Sequence, residues 1–343
     1  MVPMRQLGVG IGAVALALAF ACGGDDGGDD GGDDAGSGTA ATTAVTGGDD
    51  GGPAGPTTTP PGDAGDATAT ATSNGDTTGG GATDDAGSSD DTGGPVGSAG
   101  CGMAIGDPEQ TWNYRTVDVD GTMREYWLWL PPGYDPATPY PIVYQFHGCS
   151  SSPNPQDNNP PVQDESGAAA VHVRGRAVTD CWDNSPNGPD VAFFDALVGA
   201  VEGEACVDTG RRFATGYSSG AFMTHRLSCE RGDMLRGVAS IAGGSGGNMC
   251  VGQVAALLIH DLNDMQVGID TSIAARDLNL ARNGCDAKAT PTDVDPAPCV
   301  SYAGCQDGYP VVWCQTSQQG HSRQDGLSAP AFWGFLEALP ASN

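Results

Sequence analysis

Residues 213–230 read FATGYSSGAFMTHRLSCE. A strand-like run ends at Gly216, two serines follow at 218 and 219, and Gly220 closes a G-x-S-x-G frame. That pattern is weak alone, because GGSGG at 243–247 frames Ser245 in the same way. Context separates the two. A hydroxyl presented for attack needs a strand, a sharp turn, and then a helix whose N-terminus faces the oxygen. Ser218 has RRFAT before it and the helix-compatible AFMTHRLSCE after it, whereas Ser245 is trailed by GGNMC, a poor helix start. Ser218 is therefore the expected nucleophile. Ser219 is off-centre in the frame, so its useful group is the backbone N–H, which in this arrangement donates to a developing oxyanion.

Outward from this stretch, WNYRTVDV and MREYWLWLP alternate like an antiparallel pair turning at Asp120-Gly121. YPIVYQFHG, AAAVHVRG, RRFATG, LRGVASIAGG, VAALLIHD and PVVWCQT read as further short strands. DVAFFDALVGAVEGEA, with Asp190 placed as a cap, reads as a helix, as do AFMTHRLSCE and the terminal SAPAFWGFLEAL. Strands alternating with helices imply an α/β architecture with a mostly parallel central sheet and helices on both faces. An antiparallel hairpin at its start is the layout of an α/β-hydrolase fold. Sites in such sheets lie at the carboxyl ends of the strands, where Ser218 falls.

A serine hydroxyl needs a base, and histidine is the usual one near neutral pH. On this fold the chain order is serine, acid, histidine. His147 and His172 precede the serine, and His225 lies two helical turns beyond it, facing away. His260 ends a strand with no suitably placed acid before it. His321, on the loop between the last strand and the last helix, is the expected base. The acid belongs on the loop LLIHDLNDMQ, which offers Asp261 and Asp264. Asp264 is preferred, because an acid a few residues into the loop reaches the imidazole better than one at the strand end. A second oxyanion donor is expected from the loop FHGCSSS, at the N–H of Cys149, with Gly148 as the neighbouring alternative. His147 is expected to support that loop.

Composition sets the surroundings. Residues 1–22 hold Arg5, the apolar run LGVGIGAVALALAFA and then Cys22. This is the pattern of an export signal, too short to be a comfortable membrane span. Ala19-Phe20-Ala21 suits ordinary cleavage. Small residues before a lone cysteine also suit a bacterial lipoprotein box, in which an acylated Cys22 would anchor the chain to a membrane. Residues 23–100 hold 15 Asp and no aromatic residue, Lys or Arg, so they are expected to be a disordered, self-repelling linker. Residues 101–343 are then the catalytic domain. The net charge of -29 argues against nucleic acid as a partner. Ten of the eleven cysteines fall in the domain, an even number that implies disulfides in an exported protein. No C-x-x-C pair and only five histidines occur, so neither a metal nor a cofactor is expected.

With these residues in place, the chain from about Trp112 to Leu339 resembles the secreted feruloyl esterases, acetylxylan esterases and poly(3-hydroxybutyrate)-depolymerase-like proteins. FHGCSSS resembles that group's oxyanion loop, DCWD its Cys-Trp segment, and CVDTGRRFATGYSSGAFMTHRLSCE its nucleophile region. IHDLND is similar to a segment that usually reads His-Gly-x-x-Asp, which places the acid at Asp264 and puts Asp261 where the group has glycine. Gly320-His321 matches the catalytic histidine, although GHSRQDG lacks the aromatic and proline that often follow. The resemblance implies a serine carboxylic-ester hydrolase acting outside the cytoplasm. Its expected substrates are feruloyl or acetyl esters on xylan-type polysaccharide, or alternatively short polyesters. A surface-tethered binding protein without catalysis is the alternative of another class. A Cys149–Cys181 disulfide tying the oxyanion loop to its neighbour is also expected.

Overall fold

Trp112–Val119 (β1) and Thr122–Trp129 (β2) pair antiparallel around Asp120 and Gly121. Both turn residues lie in the left-handed region, at φ 52° and 83°, as a two-residue hairpin turn of this twist requires. The computed structural model describes residues 96–150, 158–247 and 249–342. Next come Tyr140–Phe146 (β3), Val171–Gly175 (β4), Val207–Tyr217 (β5), Gly237–Ile241 (β6) and Ala255–Asp261 (β7). Thr292–Val294 (β8), Cys299–Ser301 (β9) and Val311–Thr316 (β10) complete the set. They form one sheet in the order β1-β2-β4-β3-β5-β6-β7-β10-β9-β8. Its centre, from β4 to β10, is parallel, and antiparallel pairs lie at both ends.

The helices are Val162–Ser166 (α1), Pro189–Glu204 (α2), Ser219–Glu230 (α3), Asp270–Arg282 (α4) and Asp325–Glu337 (α5). Side chains alternate across a strand, so continuous apolar strands feed two cores at once. Ile142, Tyr144, Phe146, Ala214, Val238 and Leu258 join the core under α2 and α3, with Phe193, Phe194, Leu197, Met223 and Leu227. Val143, Phe213, Ala239, Leu257 and Ile259 point the other way, onto Phe332, Trp333 and Leu336 of α5. This is an α/β-hydrolase fold with helices on both faces.

Several features depart from the sequence reading. Asp190 is no cap: Gly188 is the N-cap of α2 and makes no side-chain cap bond. Asp190 is instead buried in the first turn, where its Oδ1 accepts from Arg124 at 2.6 Å, and the Arg124 guanidinium lies 4.0 Å over the Phe193 ring. Helix α4 and the β8–β9 pair were not anticipated, because DTSIAARDLNLAR has a thin apolar stripe and three-residue strands carry too little alternation to read. The packed part also reaches back before residue 101. Ser98 donates to the Ala205 carbonyl at 2.6 Å, and Gly97 bridges Asp208 in β5. Cys22, residues 1–22 and most of the 23–100 linker lie outside the described residues.

All ten cysteines of the folded part are paired: Cys101–Cys206, Cys149–Cys181, Cys229–Cys250, Cys285–Cys305 and Cys299–Cys314. Five disulfides assign this part to an oxidising compartment. Cys101–Cys206 closes the longest loop, 105 residues. Replacing both of its cysteines by serine is expected to cost about 4 kcal/mol through restored freedom of the unfolded chain. Denaturant unfolding of the double variant beside its parent measures it.

Candidate active site

The end of β5 is squeezed against its neighbours, and the glycines of the opening stretch record how tightly. A Cβ on Gly216 would lie 2.2 Å from the Gly220 carbonyl oxygen, and one on Gly220 would lie 1.8 Å from the Phe146 carbonyl oxygen at the end of β3. Only hydrogen fits in either place. Between them Ser218 is forced to φ 54°, ψ -118°, a positive-φ conformation that costs a residue with a Cβ on the order of 1–3 kcal/mol. The reverse arrangement holds at the second G-x-S-x-G. Ser245, at φ 68°, is exposed and no helix follows it directly. There the glycines serve close approach: a Cβ on Gly243 would sit 2.7 Å from the Ser218 carbonyl oxygen, and one on Gly244 2.2 Å from that of Thr271.

Ser218 is nearly buried, and its hydroxyl lies 3.0 Å from His321 Nε2, to which it donates. His321 Nδ1–H donates to Asp264 Oδ2 at 2.7 Å. The other oxygen of Asp264 accepts from the N–H groups of Gln266 at 2.9 Å and Val267 at 2.8 Å. Burial alone would raise the Asp264 carboxyl, but those N–H groups and the imidazole outweigh it and hold it below the usual carboxylate range. The Tyr217 ring lies 5.3 Å from the His321 ring, and its hydroxyl donates to the His321 carbonyl at 3.4 Å.

On the other side of the serine, Cys149 follows β3 and is held by its disulfide to Cys181. The N–H of Gly148 is already donated to the Asn158 carbonyl at 3.1 Å, whereas that of Cys149 has no acceptor among the described residues. Ser219 stands first in α3, where backbone N–H groups have no intrahelical partner. Its hydroxyl accepts the Trp182 N–H at 2.9 Å, which pins the helix start to the Cys-Trp segment. Trp182 Nε1–H in turn donates to the His147 carbonyl at 2.9 Å. His147 itself donates from Nδ1 to the Gly148 carbonyl at 2.6 Å and accepts the Ala177 N–H at 3.2 Å. Both ring nitrogens are thus spent on holding the loop.

The remaining histidines are buried and committed elsewhere. His172 bonds Gln145 and Ser166 and is pushed down to about 3 by burial and by Arg174. His225 bonds Ser240 and is pushed down to about 4 by burial. His260 lies 3.5 Å from Asp264 Oδ2, bonded to Ser272 Oγ at 2.6 Å and to the Val267 carbonyl at 3.0 Å, behind the acid loop.

Asp261 has a role that sequence reasoning missed. It is buried, and all the acceptor positions it uses serve backbone order. Oδ2 accepts from Thr316 Oγ1–H at 2.8 Å and the Gln319 N–H at 3.0 Å; Oδ1 accepts from the N–H groups of Gly320 at 3.1 Å and Asn263 at 2.9 Å. Asp261 therefore clamps the loop that carries His321 to the loop that carries Asp264. The only available signal was an extra acid in place of the group's glycine.

A strained serine between a parallel strand and a helix, with an acid and a histidine from two later loops, defines an α/β-hydrolase by geometry and chain order. No family model matches the chain. Among curated proteins it is 30% identical over 244 residues to feruloyl esterase C of Emericella nidulans, covering 62% of this chain and 85% of that one. It is 29% identical over 267 residues to feruloyl esterase D of Neurospora crassa, covering 70% and 89%. Solved structures similar to it include an acetyl xylan esterase from Aspergillus awamori, with TM-score 0.49 and 13% identity over 61% of this chain and 93% of the other. A CE1 ferulic acid esterase from Anaeromyces mucronatus follows at TM-score 0.46 and 18% identity, covering 70% and 94%. The chain belongs to the feruloyl esterase family and is a carboxylic-ester hydrolase.

For Asp261, burial would raise the carboxyl, but the Gln319, Asn263 and Gly320 N–H groups and the Thr316 hydroxyl hold it low. A carboxyl lowered on folding stabilises the fold above its unfolded value of about 3.9, and that contribution is lost as pH falls through the folded value. Asp261→Asn should therefore lower thermal stability at neutral pH and flatten its decline between about pH 5 and pH 2. It should also lower kcat by about tenfold or more by loosening the His321 loop. Melting curves across pH and steady-state kinetics read both effects.

Proposed function

We propose that this protein is a serine esterase that removes feruloyl or acetyl groups ester-linked to xylan-type plant polysaccharide. The observation that carries the reading is the continuous hydrogen-bonded line from Ser218 through His321 to Asp264. In the mechanism, Ser218 Oγ attacks the ester carbonyl while its proton passes to His321 Nε2. Asp264 keeps the other ring nitrogen protonated and stabilises the imidazolium. The carbonyl electrons move to an oxyanion that the N–H groups of Ser219 and Cys149 receive. Collapse expels the alcohol oxygen of the sugar, which takes the proton from His321, and leaves an acyl-Ser218 ester. Water, deprotonated by the same imidazole, attacks that ester and releases the carboxylic acid and free serine. The donors are fixed before the reaction begins, since a disulfide holds one loop and the Trp182–Ser219 bond holds the other. The names of the curated relatives support the feruloyl substrate.

The same reading extends to the whole chain. Residues 1–22 direct export, residues 23–100 form an acidic spacer, and Cys22 carries a lipid that anchors the enzyme at the cell envelope. The five disulfides of the folded part support export, and incorporation of labelled palmitate, abolished by Cys22→Ser, tests the anchor.

A panel of aryl acetate, methyl ferulate, acetylated xylan and hydroxybutyrate oligomers, run on the full chain, tests the substrate; turnover of the oligomers alone would favour a polyester depolymerase. Ser218→Ala should lower kcat by about a millionfold with the fold intact, and Asp264→Asn by about ten-thousandfold. Undiminished turnover by Ser218→Ala would refute the mechanism.

A further inference from the structure

A cleft of 410 Å3 lies apart from the triad, against the β1–β2 turn. Val119, Val178 and Pro189 supply apolar walls, Thr122 and Thr179 supply hydroxyls, and Asp120 and Asp183 supply carboxylates. Arg124 and Asp190 form its base, with only 4% and 3% of their side chains exposed, already paired to each other at 2.6 Å. A second cleft shares Thr122, Arg124 and Val178 with the first and continues it past Tyr114 and Met123. Three of the nine exposed large hydrophobic side chains lie along this path: Tyr114 at 54%, Met123 at 59% and Val178 at 68%.

Strand directions locate the clefts relative to Ser218. Strand β2 runs antiparallel to β4, and β4, β3 and β5 are parallel to one another. The β1–β2 turn therefore lies at the end of the sheet where β3, β4 and β5 finish, which is the end that carries Ser218. The order β2-β4-β3-β5 puts three strand spacings between them, roughly 14 Å at about 4.8 Å each. That gap exceeds the span of one aromatic acyl group held at Ser218. It does not exceed the span of a polymer. The first cleft is also continuous with the oxyanion side, because Cys181 lines it and is bonded to Cys149.

The chemistry of the walls limits the occupant. Apolar surfaces suit the C–H faces of sugar rings, while threonine hydroxyls and carboxylates suit sugar hydroxyl donors. The first cleft's one cation is buried and paired, and its other charged side chains are acidic, so an anionic ligand finds no partner there and a neutral polyol does. We propose that this cleft is the subsite for the neutral carbohydrate chain that carries the scissile ester, with the Tyr114 side as its continuation. The proposal rests on the ester-hydrolase reading above and names the part of the substrate that the triad does not contact.

Val178→Trp, at an exposed position, fills the cleft without disturbing the core. The full-length enzyme and this variant are compared on methyl ferulate and on a feruloylated arabinoxylan oligosaccharide. The ratio of kcat/KM for the oligosaccharide ester to that for methyl ferulate should fall by about tenfold in the variant, through KM, because binding is lost that is equal in ground and transition states. Binding of an unesterified xylo-oligosaccharide to Ser218→Ala, followed by calorimetry, should weaken to the same degree when Val178→Trp is added. An unchanged ratio, or an oligosaccharide that binds both proteins equally or neither, overturns the subsite. A parent enzyme that cleaves neither ester overturns the feruloyl reading instead, and the binding comparison still decides the cleft. Should Val178→Trp fail to fold, Thr122→Val with Asp120→Asn replaces it, with the same two outcomes.

Discussion

The architecture of this protein turns on one contact: the start of α3 pressed against the end of β3, with the Gly220 α-carbon so near the Phe146 carbonyl oxygen that a methyl group would lie 1.8 Å from it. That approach bends the chain at Ser218 into a positive-φ conformation and aims its side chain out of the sheet end. It also brings the helix N-terminus beside the loop that follows β3, so that donors from two separate elements face the same point. The strain is affordable only because the surroundings leave no alternative. Phe146 and Met223 are buried in the core beneath, and the Ser218 N–H is tied to the Ile241 carbonyl at 3.0 Å.

The second half of the site is held differently. The serine turn is fixed by sterics, whereas the acid and histidine loops are fixed by hydrogen bonds to two buried carboxylates. Asp264 orients the imidazole, and Asp261 orients the backbone on which the imidazole rides. Dividing these tasks between two acids at the end of one strand leaves each carboxylate fully used, so neither is an unpaired buried charge.

Legibility in the sequence followed the same division. The strand–turn–helix around Ser218 could be read because its determinants are local: glycine spacing, an apolar run, and a helix-compatible stretch. Chain order narrowed five histidines to His321. The central strands were readable from continuous apolar runs, since both faces of the parallel sheet are covered. What escaped was set by partners distant in sequence. Asp190 looks like a helix cap until Arg124, far earlier in the chain, arrives beside it. Asp261 looks like a spare acid until residues 316–320 fold over it. Gly148 and Cys149 are equivalent donors on paper, and only the Asn158 carbonyl, which occupies one of them, separates the two.

Where the chain enters the domain has a consequence for orientation. Gly97 and Ser98 are stitched to residues 205–208, at the beginning of β5, and the Cys101–Cys206 bond locks that junction. Ser218 follows the end of the same strand. Upstream sequence is therefore joined at one pole of the sheet while the reacting hydroxyl opens at the other. A domain held by its N-terminal side presents its catalytic pole outward, toward a bulky insoluble substrate. The covalent lock also means that tension along the attachment is borne at the base of β5, remote from the bonds that align the catalytic groups.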